Sequence, residues 1–305
     1  MEGRGSMNGI LARIERLRSQ QNTSELQEVG RSLFPTTLNS NSATSNEGCS
    51  KCKYTGTMTD LRWVEDDEYK RPDGTPMKRE VTTVKLCDCF YERQFQNYNP
   101  TDGLAEKEKE YTFSVAVMDE ENKTQLKLAT DFVRNIRDHM EKGSWMYIFG
   151  DDLRAREKNV SAFGTGKTYL MVCIANALAH RKIPGIYVTE DDLFSAIKET
   201  YGKKADESES EVLKRFRQVP ILMIDDIFTA QYKDWAEDKL FSILNGRERE
   251  GKVTIMTSNY ELERIPSRLP INGAKLVSRI KGRIGEREIE MIGRDRRPEQ
   301  HNQSA

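Results

Sequence analysis

Histidine is scarce in this chain, with three among 305 residues. They stand at His139, His180 and His301, too scattered to build a histidine-rich metal centre. No apolar run approaches the roughly 18–20 residues needed to cross a bilayer as a helix, so a helical membrane protein is excluded. No leader-type segment with a basic start and a short apolar core is visible, which sets an expectation of the cytoplasm. Charge of one sign is also missing. Lysine and arginine number 48 against 49 aspartates and glutamates, a net charge of −1. Bulk electrostatic attraction to nucleic acid is therefore absent, and any such contact must come from a local patch. The best such patch is 275–297, with Lys275, Arg279, Lys281, Arg283, Arg287, Arg294, Arg296 and Arg297; a solvated helix face is the plainer reading of the same residues.

Cysteine is the scarce residue whose spacing carries information. Four of the five cysteines form two close pairs, Cys49-x₂-Cys52 and Cys87-x-Cys89. In a reducing compartment spaced thiol pairs point to a metal rather than to disulfides. Four thiolates in a tetrahedral set favour Zn²⁺. Residues 61–64 and 80–84 read as strands, with Arg71-Pro72-Asp73-Gly74 as the turn between them. Cys173 stands alone in an apolar helix and reads as core.

The strongest motif is Ser161-Ala162-Phe163-Gly164-Thr165-Gly166-Lys167-Thr168. It matches G-x-x-x-x-G-K-[ST] except at its first residue. Glycines there let main-chain N–H groups turn toward phosphates, the lysine neutralises them, and the hydroxyl reaches Mg²⁺. A short apolar strand, Met146 to Phe149, precedes it, and an alanine-rich helix, 168–180, follows. Gly150 stands where such a loop should begin, and 151–160 is a charged insertion. Either Ser161 opens the loop after a surface excursion, or the loop is damaged.

Downstream, Ile221-Leu222-Met223-Ile224-Asp225-Asp226 is a buried strand ending in two acids. Asp225 suits a Mg²⁺ ligand and Asp226 a general base toward the attacking water. Thr257-Ser258-Asn259 closes the next strand, and Asn259 suits a sensor between the two motifs. Strands at 186–189, 221–224 and 253–257 alternate with helices at 191–201, 211–218 and 234–250. The pattern predicts an α/β domain with a parallel sheet covered by helices on both faces. A helix is expected over 124–141.

Along the chain the expected parts are an N-terminal helical segment (1–34) with an Ile10, Leu11, Ile14, Leu17 stripe, a polar linker (35–48), a zinc module (49–97), a second linker (98–123) and the nucleotide-binding domain (124–300).

The stretch from Ile221 to Asn259 resembles the central part of bacterial DnaC/DnaI-type helicase loaders, a clade of AAA+ P-loop ATPases. The resemblance covers about 110–297. It implies an ATPase that places a hexameric DnaB-type replicative helicase on single-stranded DNA, forms homo-oligomers on binding ATP, and belongs to a bacterium or a phage. It also implies an arginine finger at Arg279, from Lys275-Leu276-Val277-Ser278-Arg279-Ile280, and a sensor-2 role at Arg297, from Asp295-Arg296-Arg297. Metal-binding N-terminal domains occur in this family, in keeping with zinc on the four cysteines. The chain departs from the family at the loop insertion and at Phe228, where glycine is usual. An IstB-type transposition helper and a non-hydrolysing helicase adaptor are the alternatives.

Overall fold

The computed structural model describes residues 49–53, 55–202 and 207–297. The 10–17 stripe and the 35–48 linker lie outside them. The described chain forms two compact units that part between Tyr91 and Glu92.

The first unit is a hairpin closed at its base by the cysteines. Strand β1 (Thr57–Lys70) pairs antiparallel with β2 (Pro76–Leu86), from Thr57 opposite Leu86 to Lys70 opposite Pro76. The strands are longer than the sequence pattern indicated. The turn is held by Gly74 N–H donating to the Arg71 carbonyl at 2.8 Å, with Gly74 in the left-handed region (φ +85°) that glycine adopts without strain. Helix α1 (Asp88–Asn97) follows, with Phe90 buried.

The second unit holds a five-stranded parallel sheet in the order β4-β5-β6-β3-β7. These are β3 (Met146–Phe149), β4 (Gly185–Thr189), β5 (Ile221–Ile227), β6 (Val253–Ser258) and β7 (Glu288–Glu290). The last was not visible in the sequence, because three residues reading Glu-Ile-Glu carry no apolar run. Strand alternation feeds two cores. Tyr147 and Phe149 pack with Leu222, Ile224 and Met256 on one face, while Met146 and Ile148 pack with Met223 and Ile255 on the other.

The expected 124–141 helix is two helices, α2 (Lys123–Arg134) and α3 (Ile136–Lys142), broken at Asn135, whose φ of −99° and ψ of 23° leave the helical region. Within 98–123 the chain is not a free connector. Leu104 is buried, Glu106–Glu110 is a 3₁₀ turn, and Asn176 Nδ2 donates to the Glu108 and Tyr111 carbonyls at 2.9 and 2.7 Å.

The other helices are α4 (Asp152–Glu157), α5 (Lys167–His180), α6 (Glu190–Glu199), α7 (Glu209–Gln218), α8 (Asp234–Arg249), α9 (Ile265–Arg268) and α10 (Gly273–Ile284). Fully buried Arg247 ties α8 to the sheet. Its guanidinium donates to the carbonyls of Phe216 and Val219 at 2.7 and 2.9 Å and to Thr254 Oγ1 at 3.0 Å. These bonds satisfy main-chain acceptors at the end of α7 that burial would otherwise leave orphaned. Burial pushes the guanidinium down to about 9.

Candidate nucleotide site and cysteine cluster

The insertion folds. Asp151 caps α4, its Oδ1 accepting from Leu153 N–H at 2.9 Å. Its buried Oδ2 accepts from Arg264 at 2.8 Å. Arg154 reaches Glu261 at 2.6 Å and Glu290 at 3.1 Å, and Lys158 reaches Glu290 at 2.9 Å. The expected surface excursion is thus a helix pinned by ion pairs to the ends of β6 and β7. The chain leaves the sheet at Gly150 and returns beside it. A methyl group on Gly150 would meet the Met291 carbonyl at 2.5 Å, the Ala162 carbonyl at 2.9 Å and Lys167 Nζ at 3.1 Å. In space the loop therefore begins at Gly150 and resumes at Ala162, so Ser161 does not open it. Ser161 instead bridges Gly293 through two main-chain hydrogen bonds of 2.8 and 2.9 Å. Neighbours distant in sequence close the loop, which no local pattern could show.

Gly164 and Gly166 take φ of +68° and +99°, as a loop that turns its N–H groups inward requires. Lys167 opens α5, is buried, and donates from Nζ to the Ala162 carbonyl at 2.8 Å. Burial lowers its ammonium, against the charges of Asp226 and Asp225, which raise it. Thr168 is the next residue of the helix. Thr165 Oγ1 donates to the Met291 carbonyl at 2.9 Å.

Strand β5 runs through both acids rather than stopping before them. Its pairing with β6 shifts register between Ile224 and Ile227, and Asp226 sits there with φ +57°. The bulge presents two successive carboxylates at the strand's carboxyl end. Asp225 is buried and accepts from Tyr187 Oη at 2.9 Å and from Thr257 Oγ1. Asp226 accepts from Asn259 Nδ2 at 2.7 Å, and loss of hydration by partial burial, followed by the charge of Asp225, raises its carboxyl. The chain thus gathers Lys167, Asp225, Asp226 and Asn259 at one end of the sheet.

Arg279 stands apart from this group, whereas Arg297 is close enough for its charge to act on Lys167. Arg279 donates to Asn245 Oδ1 at 2.8 Å and lies over the Phe241 ring. Exposed Arg297 approaches Asp295 at 3.9 Å. Arg296, its neighbour, lines a cleft beside Gly166 and binds Asp119 at 2.7 and 2.8 Å. Much of the basic 275–297 stretch is paired internally: Lys281 with Glu263, Arg283 with Glu248, and Arg294 with Asp119.

Sequence reasoning missed Glu190. Its buried carboxylate accepts from the N–H groups of Phe228, Thr229 and Ala230 at 2.8, 3.2 and 2.9 Å, and from Tyr232 Oη. Arg268 grips the same loop through the carbonyls of Phe228, Thr229 and Ala230. Together they hold Phe228 at φ +70°, a conformation that costs a bulky residue about 1–3 kcal/mol. This accounts physically for glycine being usual at that position in the resembled family.

Burial pushes the Glu190 carboxyl up to about 7, against three amides that pull it down. A carboxyl raised from 4.5 in this way stabilises the fold most below pH ~4.5, and that contribution is lost as pH rises through about 7. Glu190→Gln turns an NH₂ toward N–H donors and is expected to cost about 1–3 kcal/mol. Denaturant midpoints from pH 5 to 8 should decline in the native chain and stay flatter, and lower, in the variant. Equal slopes would clear Glu190 of this role.

In the first unit the four sulfurs of Cys49, Cys52, Cys87 and Cys89 lie within 4.8 Å of one another. Cys49 and Cys87 are 3.7 Å apart, and Cys52 and Cys89 3.3 Å apart. Zinc–sulfur bonds of roughly 2.3 Å in a tetrahedron need sulfurs about 3.8 Å apart, so the donor set fits Zn²⁺. Main-chain N–H groups of Cys52 and Lys51 hold the Cys49 thiol down at about 6, toward the thiolate a metal needs.

The parallel sheet, the glycine loop on α5 and the acids ending β5 define a P-loop ATPase domain of the AAA+ class. The chain belongs to the family described as the bacterial DnaA ATPase domain, whose model matches residues 108–285. It is similar to helicase loaders of the DnaC/DnaI type. It is 26% identical over 132 residues to the replicative helicase loader DnaI of Bacillus subtilis, covering 43% of this chain and 38% of that one. To the replicative helicase loader DnaC of Escherichia coli K12 it is 27% identical over 118 residues, 39% and 46% of the two chains. A chromosomal replication initiator protein DnaA from Oenococcus oeni is 32% identical over 118 residues, 38% and 25%. The matched stretch spans less than half the length of each of these relatives.

Proposed function

We propose that the protein is an ATP-dependent loader that delivers a hexameric replicative helicase of the DnaB type onto single-stranded DNA as replication starts. One observation carries the reading: a four-cysteine cluster in a unit of its own stands in the same chain as an assembled P-loop site. The similarity to DnaI and DnaC supports it.

In this reading Gly164, Thr165 and Gly166 wrap the phosphates and Lys167 neutralises them. Thr168 and Asp225 would hold Mg²⁺, which supplies charge to the β- and γ-phosphates. Asp226 takes the proton of the attacking water as its oxygen bonds the γ-phosphorus and the bond to the bridging oxygen breaks. Asn259, bonded to Asp226, sets that carboxylate's rotamer. Arg297 serves as sensor 2 beside the loop, and Arg279 serves the site of a neighbouring copy in a homo-oligomer. Cys49, Cys52, Cys87 and Cys89 would hold Zn²⁺ as a structural centre. The cytoplasm is the place of action.

The test is capture of the host's replicative helicase by the immobilised full chain, with ATP turnover followed in parallel. Capture together with turnover that rises on adding single-stranded DNA is the expected result. Turnover without capture would favour the IstB-type helper, and capture without turnover the non-hydrolysing adaptor. Either outcome would overturn the loader reading as stated.

A further inference from the structure

The insertion between Gly150 and Ala162 reaches beyond the loop it interrupts. Asp151, its first residue, is fully buried, and its carboxylate faces two ways. Oδ1 caps α4. Oδ2 faces the segment that follows β6, accepting from Glu261 N–H at 3.2 Å and from Arg264 at 2.8 Å. One residue earlier, Gly150 N–H donates to the Ser258 carbonyl at 3.1 Å. Consecutive residues at the exit of β3 therefore hold the main chain on both sides of Asn259, at Ser258 before it and at Glu261 after it. Other bonds anchor this stretch to the sheet. Ser258 Oγ donates to the Ile227 carbonyl at 2.8 Å, and Tyr147 Oη donates to the Tyr260 carbonyl at 2.6 Å. Asp151 ties it instead to the phosphate loop, whose first residue in space is its neighbour Gly150. Arg264, which balances the buried charge, is also held by Asp152 at 2.6 Å. Stability is a weak reason for a buried ion pair, since apolar residues of similar volume often serve as well. A carboxylate that fixes two segments at one distance has a stronger one.

We infer that Asp151 is a positioning residue for ATP hydrolysis: it holds Asn259, and through Asn259 the Asp226 carboxylate, in place relative to the phosphate loop. The inference rests on reading Asp226 as the base toward the attacking water. That base and its target belong to different segments. The phosphates are held by 164–168, whereas Asp226 ends β5. Asp226 also sits at the register shift between β5 and β6, with φ +57°, so regular ladder bonds do not fix it. Its N–H goes to Thr257 Oγ1 at 2.8 Å, and its carboxylate accepts from Asn259 Nδ2 at 2.7 Å. A shift of the main chain at Asn259 therefore carries the carboxylate with it. Asp151 is closed off from solvent and acts only through the chain it holds. A displacement of about 1 Å at a reacting group can cost on the order of 10²-fold in rate, even when the altered residue lies away from the chemistry.

A double-mutant cycle on the full chain tests this. ATP turnover, affinity for a ribose-labelled fluorescent ATP and Tm are measured for each variant. Asp151→Asn keeps an oxygen for the α4 cap but turns an NH₂ toward the donors of Glu261 and Arg264. Its kcat is expected to fall about 10–100-fold while nucleotide affinity stays within about threefold of native. On an Asn259→Ala background the same change should cost less than about threefold, because the group that Asp151 places is already gone. Glu261→Pro makes the same point without altering the buried carboxylate or Arg264. It removes the N–H that Oδ2 accepts, at a residue whose φ of −68° already suits proline. Glu261→Ala controls for the lost side-chain pair with Arg154. The proline variant should turn over about tenfold more slowly than the alanine one. Equal losses for Asp151→Asn on the two backgrounds would overturn the role through Asn259 and leave the nucleotide site standing. So would a fall in nucleotide affinity that matches the fall in turnover, which would assign Asp151 to the phosphate loop. A native chain that binds the labelled ATP without turnover would overturn hydrolysis and this inference together. If Asp151→Asn melts far below the native chain, the Glu261 pair decides: equal turnover of its proline and alanine variants would overturn the inference.

Discussion

Serine at Cys49 or Cys87 is expected to release one zinc per chain and to unfold the first unit. The hairpin has almost no interior of its own. Leu61, Trp63 and Tyr69 are exposed, and the buried apolar side chains from 49 to 91 among the described residues are Cys52, Cys87 and Phe90. An isolated two-stranded hairpin is marginal in water at best. The strands are joined at their base where Cys87 N–H donates to the Gly56 carbonyl at 2.8 Å, between the two cysteine pairs. Metal there would hold the open end of the hairpin shut. Structural zinc supplies about 10–16 kcal/mol of apparent binding free energy, which becomes folding energy when the site forms only on folding. That far exceeds what three buried side chains contribute at roughly 1.5–3 kcal/mol each. Elemental analysis and amide-exchange protection of 57–86 measure both halves of the expectation. A strong chelator should reproduce the serine variants, while the melting transition of the second unit persists. Metal-free protein with a protected hairpin would refute a structural zinc.

Arg279→Ala is expected to leave ATP binding intact and to lower turnover steeply. Within one chain Arg279 cannot serve the loop, because it is spent on Asn245, the Lys275 carbonyl and the Phe241 ring. Any catalytic role must be played on a neighbouring copy. An arginine supplied to the γ-phosphate in this way is worth about 10³–10⁵ in turnover. Mixing gives the decisive measurement. Lys167→Ala chains lose their own loop but keep the finger, and Arg279→Ala chains keep the loop but lose the finger. Each alone should be inactive, and the mixture should recover turnover at interfaces that join an intact loop to an intact finger. No recovery, with single-stranded DNA binding lost in Arg279→Ala, would assign Arg279 to the basic face instead.

Much of the candidate site was legible because its chemistry is written in short contiguous runs. Gly164 to Thr168 announces phosphate binding by residue type and spacing. Ile221 to Asp226 announces a buried strand with acids at its end, and it proved to be one, extended through Ile227. Cys49, Cys52, Cys87 and Cys89 announce a thiolate cluster, and their sulfurs do converge. The helix expected over 124–141 was broken at Asn135 because apolar periodicity continues across a break that only the main-chain angles show. Glu190 and Asp119 were not legible. Each is an ordinary polar residue whose partners lie far along the chain.

The sequence by itself determined the alternation of strands and helices, the identity of the phosphate-binding and acidic motifs, and the thiol donor set. These follow from side-chain period and local spacing, which folding does not alter. Only the tertiary structure decided whether the interrupted loop closes, because Gly150 and Ala162 meet through the folding of α4 and its ion pairs to Glu261, Arg264 and Glu290. It alone decided that β7 pairs beside β3. The physical reason is the same in each case. Hydrogen bonds and ion pairs of this kind depend on distances between segments up to 177 positions apart, and the packing of the sheet sets those distances.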